Sequence, residues 1–159
     1  MQFNLSVDDS LVANQSPCSL EPGSTFEGLR LVNNTFVAPA MTWGLLGGPT
    51  SSLLNGALEV RNNIFHATAP QAGGLGCSAR CSHNLFSGLA AAGTGAVSGN
   101  PRFTDPSRRG RGRLFVGRGF RLRSGSPARG AGTTVVGLPA RDYFGWSVPR
   151  IPAIGFSQR

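Results

Sequence analysis

The strongest signal in the chain is an eight-residue pattern that occurs three times without gaps. Leu29-Arg30-Leu31-Val32-Asn33-Asn34-Thr35-Phe36 is followed by Leu58-Glu59-Val60-Arg61-Asn62-Asn63-Ile64-Phe65 and then by Ala79-Arg80-Cys81-Ser82-His83-Asn84-Leu85-Phe86. In each copy the first and third positions are apolar and the second is polar or charged, the alternation of a strand with one buried face. Two polar, turn-prone residues come next, and asparagine tolerates the left-handed backbone that a sharp corner demands. Thr, Ile or Leu and then Phe open a second short strand. The second Asn falls at 34, 63 and 84, at intervals of 29 and 21 residues. A weaker copy, Leu5-Ser6-Val7-Asp8-Asp9-Ser10-Leu11-Val12, starts 24 residues before Leu29; in this alignment it keeps the alternation and lacks the Asn and the Phe.

Strand, corner and strand recurring at such intervals describe one coil of a solenoid. Coils stacked about 4.8 Å apart bring like residues over like. Asn34, Asn63 and Asn84 then form a column in which each amide bonds the next, and Phe36, Phe65 and Phe86 form an aromatic stack beside it. Leu31, Val60 and Cys81 line the flanking strand. Burial of each Phe contributes about 2–3 kcal/mol. The competing reading is a β-sandwich of three similar hairpins. It calls for two-residue turns and strand pairs close in sequence, whereas these strands recur at coil distance.

Composition supports short strands and many turns. There are 23 glycines and 11 prolines, 40% of residues are apolar and only 14% are charged, which argues against long helices. All 15 basic residues are arginine, as a GC-rich coding sequence would favour. Charge is unevenly placed: residues 1–60 carry a net −4, and residues from Pro101 onward a net +10. A basic C-terminal third suits an anionic partner, whether polysaccharide, nucleic acid or lipid headgroup. Arg108, Arg109, Arg111, Arg113, Arg118, Arg121 and Arg123, interleaved with Gly, Phe115 and Phe120, superficially resemble an RNA-binding Arg-Gly segment. Pro, Val and Leu surround that run, so nucleic-acid binding ranks behind the other readings. No stretch is long and apolar enough to span a membrane, and no basic segment leading into an apolar run marks a signal peptide. Cys18, Cys77 and Cys81 fit no metal signature. A Cys77–Cys81 disulfide and a free, buried Cys81 both stay open.

The C-terminal half adds Asn100-Pro101-Arg102-Phe103-Thr104-Asp105-Pro106, Phe120-Arg121-Leu122, Gly125-Ser126-Pro127-Ala128-Arg129-Gly130-Ala131-Gly132, Asp142-Tyr143-Phe144-Gly145 and Pro152-Ala153-Ile154-Gly155. This order, after copies carrying Asn-Asn-x-Phe, resembles the C-terminal end of bacterial right-handed parallel β-helix repeat proteins of the pectate-lyase-like superfamily. The resemblance runs from about Phe26 to Phe156 and is more specific for architecture than for activity, because lyases, epimerases, glycosidases and non-enzymatic surface proteins share it. It implies an all-β, right-handed parallel β-helix (solenoid) of about four coils over residues 1–106. Residues 107–159 are then an Arg/Gly-rich loop and an irregular closing segment of the same domain. It also implies an extracellular or cell-surface protein with a polysaccharide groove. Lyases of the family take a proton with a basic residue and neutralise the uronate carboxylate, sometimes with calcium.

Here the acids that calcium needs are sparse: Asp8 and Asp9 are adjacent, and otherwise no acidic cluster falls on the copies, so no cofactor is predicted and calcium stays open as the alternative. Arg30, Glu59 and Arg80 share one repeat position and predict a column on one face, with Arg61 beside it. The candidate polysaccharide site is that column with Arg61, His66, His83 and Trp43, the last on the longer interval between the first two copies. Each has a plainer reading. The column can be a solvated ion-pair network, the histidines strand-end or corner residues, and Trp43 a loop residue packed on a coil edge. The functional expectation is a polysaccharide-binding or polysaccharide-processing domain, lyase- or glycosidase-like, as the C-terminal part of a longer secreted protein; catalysis itself is left open. A non-catalytic structural or adhesive surface module is the alternative, and an arginine-rich nucleic-acid binder comes third. An open first coil near Leu5 and Val7 would expose strand edges and core, predicting marginal stability or self-association.

Overall fold

The computed structural model describes residues 2, 4–7, 30–39, 59–69, 81–108 and 112–159. Its architecture follows from three corners. Asn33, Asn62 and His83 adopt φ of 54°, 56° and 52°, the left-handed region that asparagine and histidine tolerate better than most residues. Each corner parts two short strands. Leu5–Val7 (β1) comes first; Arg30–Val32 (β2) then turns into Thr35–Ala38 (β3), Glu59–Arg61 (β4) into Ile64–Ala67 (β5), and Cys81–Ser82 (β6) into Leu85–Ser87 (β7). Val97–Ser98 (β8) follows. The strands form two parallel sheets, ordered β1-β3-β5-β7-β8 and β2-β4-β6, so the chain is mainly β.

The register places each repeat copy on the next, position for position. Leu31 pairs with Val60 and Val60 with Cys81, while Phe36 pairs with Phe65 and Phe65 with Phe86. Like residues therefore stack. The Phe36 and Phe65 rings lie 5.4 Å apart and 3° from parallel, and Phe86 continues the column at 5.5 Å. With Leu31, Ala38, Val60, Ala67, Cys81 and Leu89 they form one core cluster.

Beside the rings runs the asparagine column. Asn63 Oδ1 accepts the backbone N–H and side-chain amide of Asn34, at 2.9 and 3.0 Å, and Asn84 Oδ1 accepts the same pair from Asn63 at 2.8 and 3.0 Å. All three side chains are fully buried, so the column satisfies polar groups at a dry corner. The column begins one copy earlier than the alignment of Leu5 with Leu29 implies. Leu5 pairs with Thr35, and Asn34 Oδ1 accepts the backbone N–H and side-chain amide of Asn4 at 3.0 and 3.1 Å. The first copy is thus framed on Asn4 and retains its asparagine. Alternation alone fits two frames; the hydrogen bonds from Asn4 to the buried Asn34 amide select one.

A second finding concerns the other face of the larger sheet. Val37, Ile64 and Leu85 point away from the phenylalanine stack and pack with Phe103, Phe120, Leu122, Ala128, Ala153, Ile154 and Phe156. The C-terminal segment covers that face, so the sheet is buried on both sides, as parallel sheets usually are. The expected Arg/Gly-rich loop contains a short helix, Arg113–Gly119 (α1). Its Val116 packs toward this cluster, and Gly117 lies where a Cβ would sit 3.0 Å from the Tyr143 ring. That packing orders a stretch whose local sequence reads as loop.

The first asparagine of each pair explains how the segment is held. Asn33 Nδ2 donates to Ala153 O at 2.8 Å, and Asn62 Nδ2 donates to Thr133 O at 2.8 Å while its Oδ1 accepts the Thr133 N–H at 2.9 Å. Close approach is made possible by Gly132 and Gly155. A Cβ on Gly155, at φ 101°, would lie 2.7 Å from Ile64 Cδ1 and 2.8 Å from Thr35 Oγ1. Within the segment, Asp142 is buried and accepts three backbone N–H groups, from Phe144, Trp146 and Gln158, at 2.8–2.9 Å.

Candidate functional site

The smaller sheet carries Arg30, Glu59 and Arg61. Parallel pairing sets Arg30 beside Glu59, and the alternation of β4 sends Val60 inward and its neighbours outward. Arg30 Nε donates to Glu59 Oε2 at 2.5 Å, and Arg61 Nε lies 3.3 Å from Glu59 Oε1, so one carboxylate bridges two guanidinium groups. Arg30 also donates to Val136 O at 2.6 Å, tying the row to the C-terminal segment. The side chains of Arg30, Glu59 and Arg61 are 35%, 23% and 43% exposed, open enough to meet a ligand. Arg80 and Trp43, the other proposed members, lie outside the described residues.

The two histidines do not join this row. Expected at strand ends, His66 instead sits inside β5, with its side chain on the covered face of the larger sheet. Its ring meets Phe103 edge-on at 5.7 Å and its Nδ1 pairs with Ser87 Oγ at 2.9 Å. Burial there lowers its pKa below the ordinary 6.5. A lowered value means the folded chain favours neutral His66, so its contribution to stability is complete above pH 6.5 and declines as pH falls below it. The urea midpoint should drop between about pH 7 and about pH 5, and His66→Gln should remove part of that drop. An identical pH profile in the variant would show that His66 does not contribute.

His83 occupies the third corner, where the first two copies have asparagine. Its Nδ1 is buried and meets no hydrogen-bond partner among the described residues, and a Cβ on Gly95 would come within 2.9 Å of its ring. Histidine therefore replaces the outward asparagine at a corner that the C-terminal segment does not hold through the same contacts. Cys81 is disulfide-bonded, which decides against the free thiol; Cys18 and Cys77 lie outside the described residues. Among the described residues, no group of three His, Cys, Asp or Glu is placed to hold a metal ion. No helix among them is long and apolar enough to cross a membrane.

One further cluster lies outside the repeat copies. Trp146 lies beneath Arg121, whose guanidinium carbon is 4.5 Å from the ring centroid, and Arg159 approaches the same ring at 5.5 Å. Phe144 tilts against it at 5.0 Å. A signal existed in the Asp-Tyr-Phe-Gly-Trp run, where an Asx-type turn is followed by an aromatic residue; its arginine partners are distant or terminal in sequence. The chain matches no protein-family model, and no curated protein matches it significantly.

Proposed function

We propose that the stacked copies form a right-handed parallel β-helix and that the domain binds an extracellular polysaccharide along the Arg30–Glu59–Arg61 row. The observation that carries this reading is the in-register parallel pairing that sets these three half-exposed side chains side by side. Neighbouring strands repeat about every 4.8 Å, so the row offers fixed donors and acceptors to an extended, hydroxyl-rich chain. The disulfide at Cys81 suits an oxidising, extracellular compartment. A non-catalytic adhesive or structural module is the second reading, favoured by the C-terminal segment that covers the larger sheet and holds His66 against Phe103.

Affinity electrophoresis in gels containing pectate, alginate or chondroitin, with absorbance of unsaturated uronate followed in parallel, tests both. The expected result is retardation without an absorbance rise. Arg61→Ala should weaken retention about fivefold, the loss of one partly exposed charged hydrogen bond. Rising absorbance would replace binding with lyase activity. No retardation in any gel would leave the structural reading, and tighter, salt-dependent retention of single-stranded RNA would favour nucleic acid.

A further inference from the structure

Two of the four large apolar side chains that stand exposed among the described residues are neighbours on α1: Leu114 is 53% exposed and Phe115 51%. The helix is held from its other side. Val116 packs toward the second core, a Cβ on Gly117 would sit 3.0 Å from the Tyr143 ring, and a Cβ on Gly119 would collide with Asp105 O. Docking of that face fixes the rotation of the helix, so Leu114 and Phe115 stay turned outward. Arg118, exposed one turn further on, shares their side.

The surroundings are cationic. Residues 101–123 contain eight arginines against one acid, Asp105. That acid pairs with Arg108 at 3.2 Å, and the Arg108 guanidinium carbon lies 4.9 Å from the centre of the Phe115 ring. Arg123 donates to Thr104 O at 2.5 Å, and Thr104 Oγ1 donates to Arg118 O at 2.7 Å, which brings Arg123 beside the last turn of α1.

The partner that answers both features is a bilayer surface with anionic headgroups. A soluble anion would satisfy the arginines and leave Leu114 in water. A nucleic acid fits no better: leucine has no ring face on which a base could stack, and Phe115 already carries the Arg108 guanidinium on its ring. At a bilayer the two apolar side chains enter the acyl boundary, while the guanidinium groups reach headgroup phosphates and their stems lie along the apolar layer. A free seven-residue segment would not hold a helix in water. Here α1 is already folded against the second core, so binding does not have to order it. Shallow apolar insertion and charge attraction are each weak alone; together they make the two-part attachment that stable surface binding requires.

We propose that the outer face of α1, Leu114 and Phe115 flanked by Arg108, Arg118 and Arg123, docks the domain on an anionic lipid surface. This goes beyond the polysaccharide reading and does not depend on it, because that reading uses the Arg30–Glu59–Arg61 row.

Flotation with vesicles of phosphatidylcholine alone, and of phosphatidylcholine with about one-third phosphatidylglycerol, tests the docking surface. The starting chain should partition about tenfold more strongly onto the anionic vesicles. Leu114→Ser/Phe115→Ser changes no charge and should lower that partition about tenfold, with an unchanged thermal melt. Arg118→Gln should lower it about fivefold and flatten its dependence on salt. Arg150→Gln/Ile151→Ser removes the same kinds of group at another exposed place, where Arg150 O accepts Thr134 Oγ1, and should bind like the starting chain. Equal partition onto the two vesicle types overturns the proposal, as does undiminished partition of Leu114→Ser/Phe115→Ser or an equal loss in the Arg150/Ile151 control. Single-stranded RNA that displaces the chain from vesicles, and binds Leu114→Ser/Phe115→Ser as tightly as the starting chain, would assign the surface to nucleic acid instead. Each of these outcomes leaves the polysaccharide reading to be decided by gel retention.

Discussion

Asn63→Ala is expected to lower the unfolding free energy by about 3–5 kcal/mol, through several buried polar groups left without partners. Asn63 is fully buried at the centre of the amide column. Its Oδ1 accepts two N–H groups of Asn34, and its Nδ2 donates to Leu31 O at 2.8 Å and to Asn84 Oδ1 at 3.0 Å. Alanine removes all four bonds at once and offers no replacement, at a position that water does not reach. An orphaned buried donor or acceptor costs about 1–3 kcal/mol, and domains of this size are stable by only about 5–15 kcal/mol. The variant should show a lower urea midpoint with an unchanged denaturant slope, because the same surface is exposed on unfolding. Asn63→Asp keeps the acceptor and loses the donor while burying a charge, so it should be at least as unstable. A midpoint within experimental error of the starting chain would show that the column is ornamental.

The sequence announced this column because stacking is a repetitive contact: the same residue meets the same residue in each copy, and the pattern survives variable intervals of 29 and 21 residues. Other parts were legible only in hindsight. The second strands read Thr-Phe-Val-Ala, Ile-Phe-His-Ala and Leu-Phe-Ser. Apolar residues there occupy both parities, which is the mark of a strand buried on two faces, and Val37, Ile64 and Leu85 did signal a covering layer. That layer itself resists reading. Its contacts are made by Ala128, Ala153, Ile154 and single aromatic residues on turns, with no period to detect. The two asparagines of each pair look equivalent as turn formers, yet one faces the column and the other faces the covering segment. Partners of the latter lie 71 and 120 residues away, beyond any local pattern. The Arg121–Trp146 stack escaped for a related reason: a cation–π pair joins residues that share neither a motif nor an interval. The Arg30–Glu59 ladder was legible because it belongs to the repeat. His66 lies beyond the last residue of the eight-residue pattern, which leaves the end of its strand unmarked, and the strand runs on past it to Ala67.

The outward asparagines allow the covering segment to be separated from the sheets it covers. Asn62 combines a left-handed backbone at φ 56° with three side-chain bonds, to Asn33 Oδ1 at 3.1 Å and to the carbonyl and amide of Thr133. Replacing it with alanine removes these bonds and leaves a Cβ in a conformation that costs about 1–2 kcal/mol for an ordinary residue. Replacing it with glycine removes the bonds and relieves the backbone. Asn62→Ala should therefore lose about 3–4 kcal/mol and Asn62→Gly about 2–3 kcal/mol. The gap between the variants reports the corner, and the loss they share reports the clasp on residues 132–155. Hydrogen exchange places that shared loss. The Thr133 and Ile154 amides, whose environment depends on the clasp, should exchange faster in both variants. Those of Ile64 and Leu85, bonded to Asn34 O and Asn63 O within the stack, should slow or quicken only with global stability. Uniform acceleration at all four amides would mean that the segment and the sheets unfold as one unit, and that the outward asparagines stabilise the whole fold rather than fasten its cover.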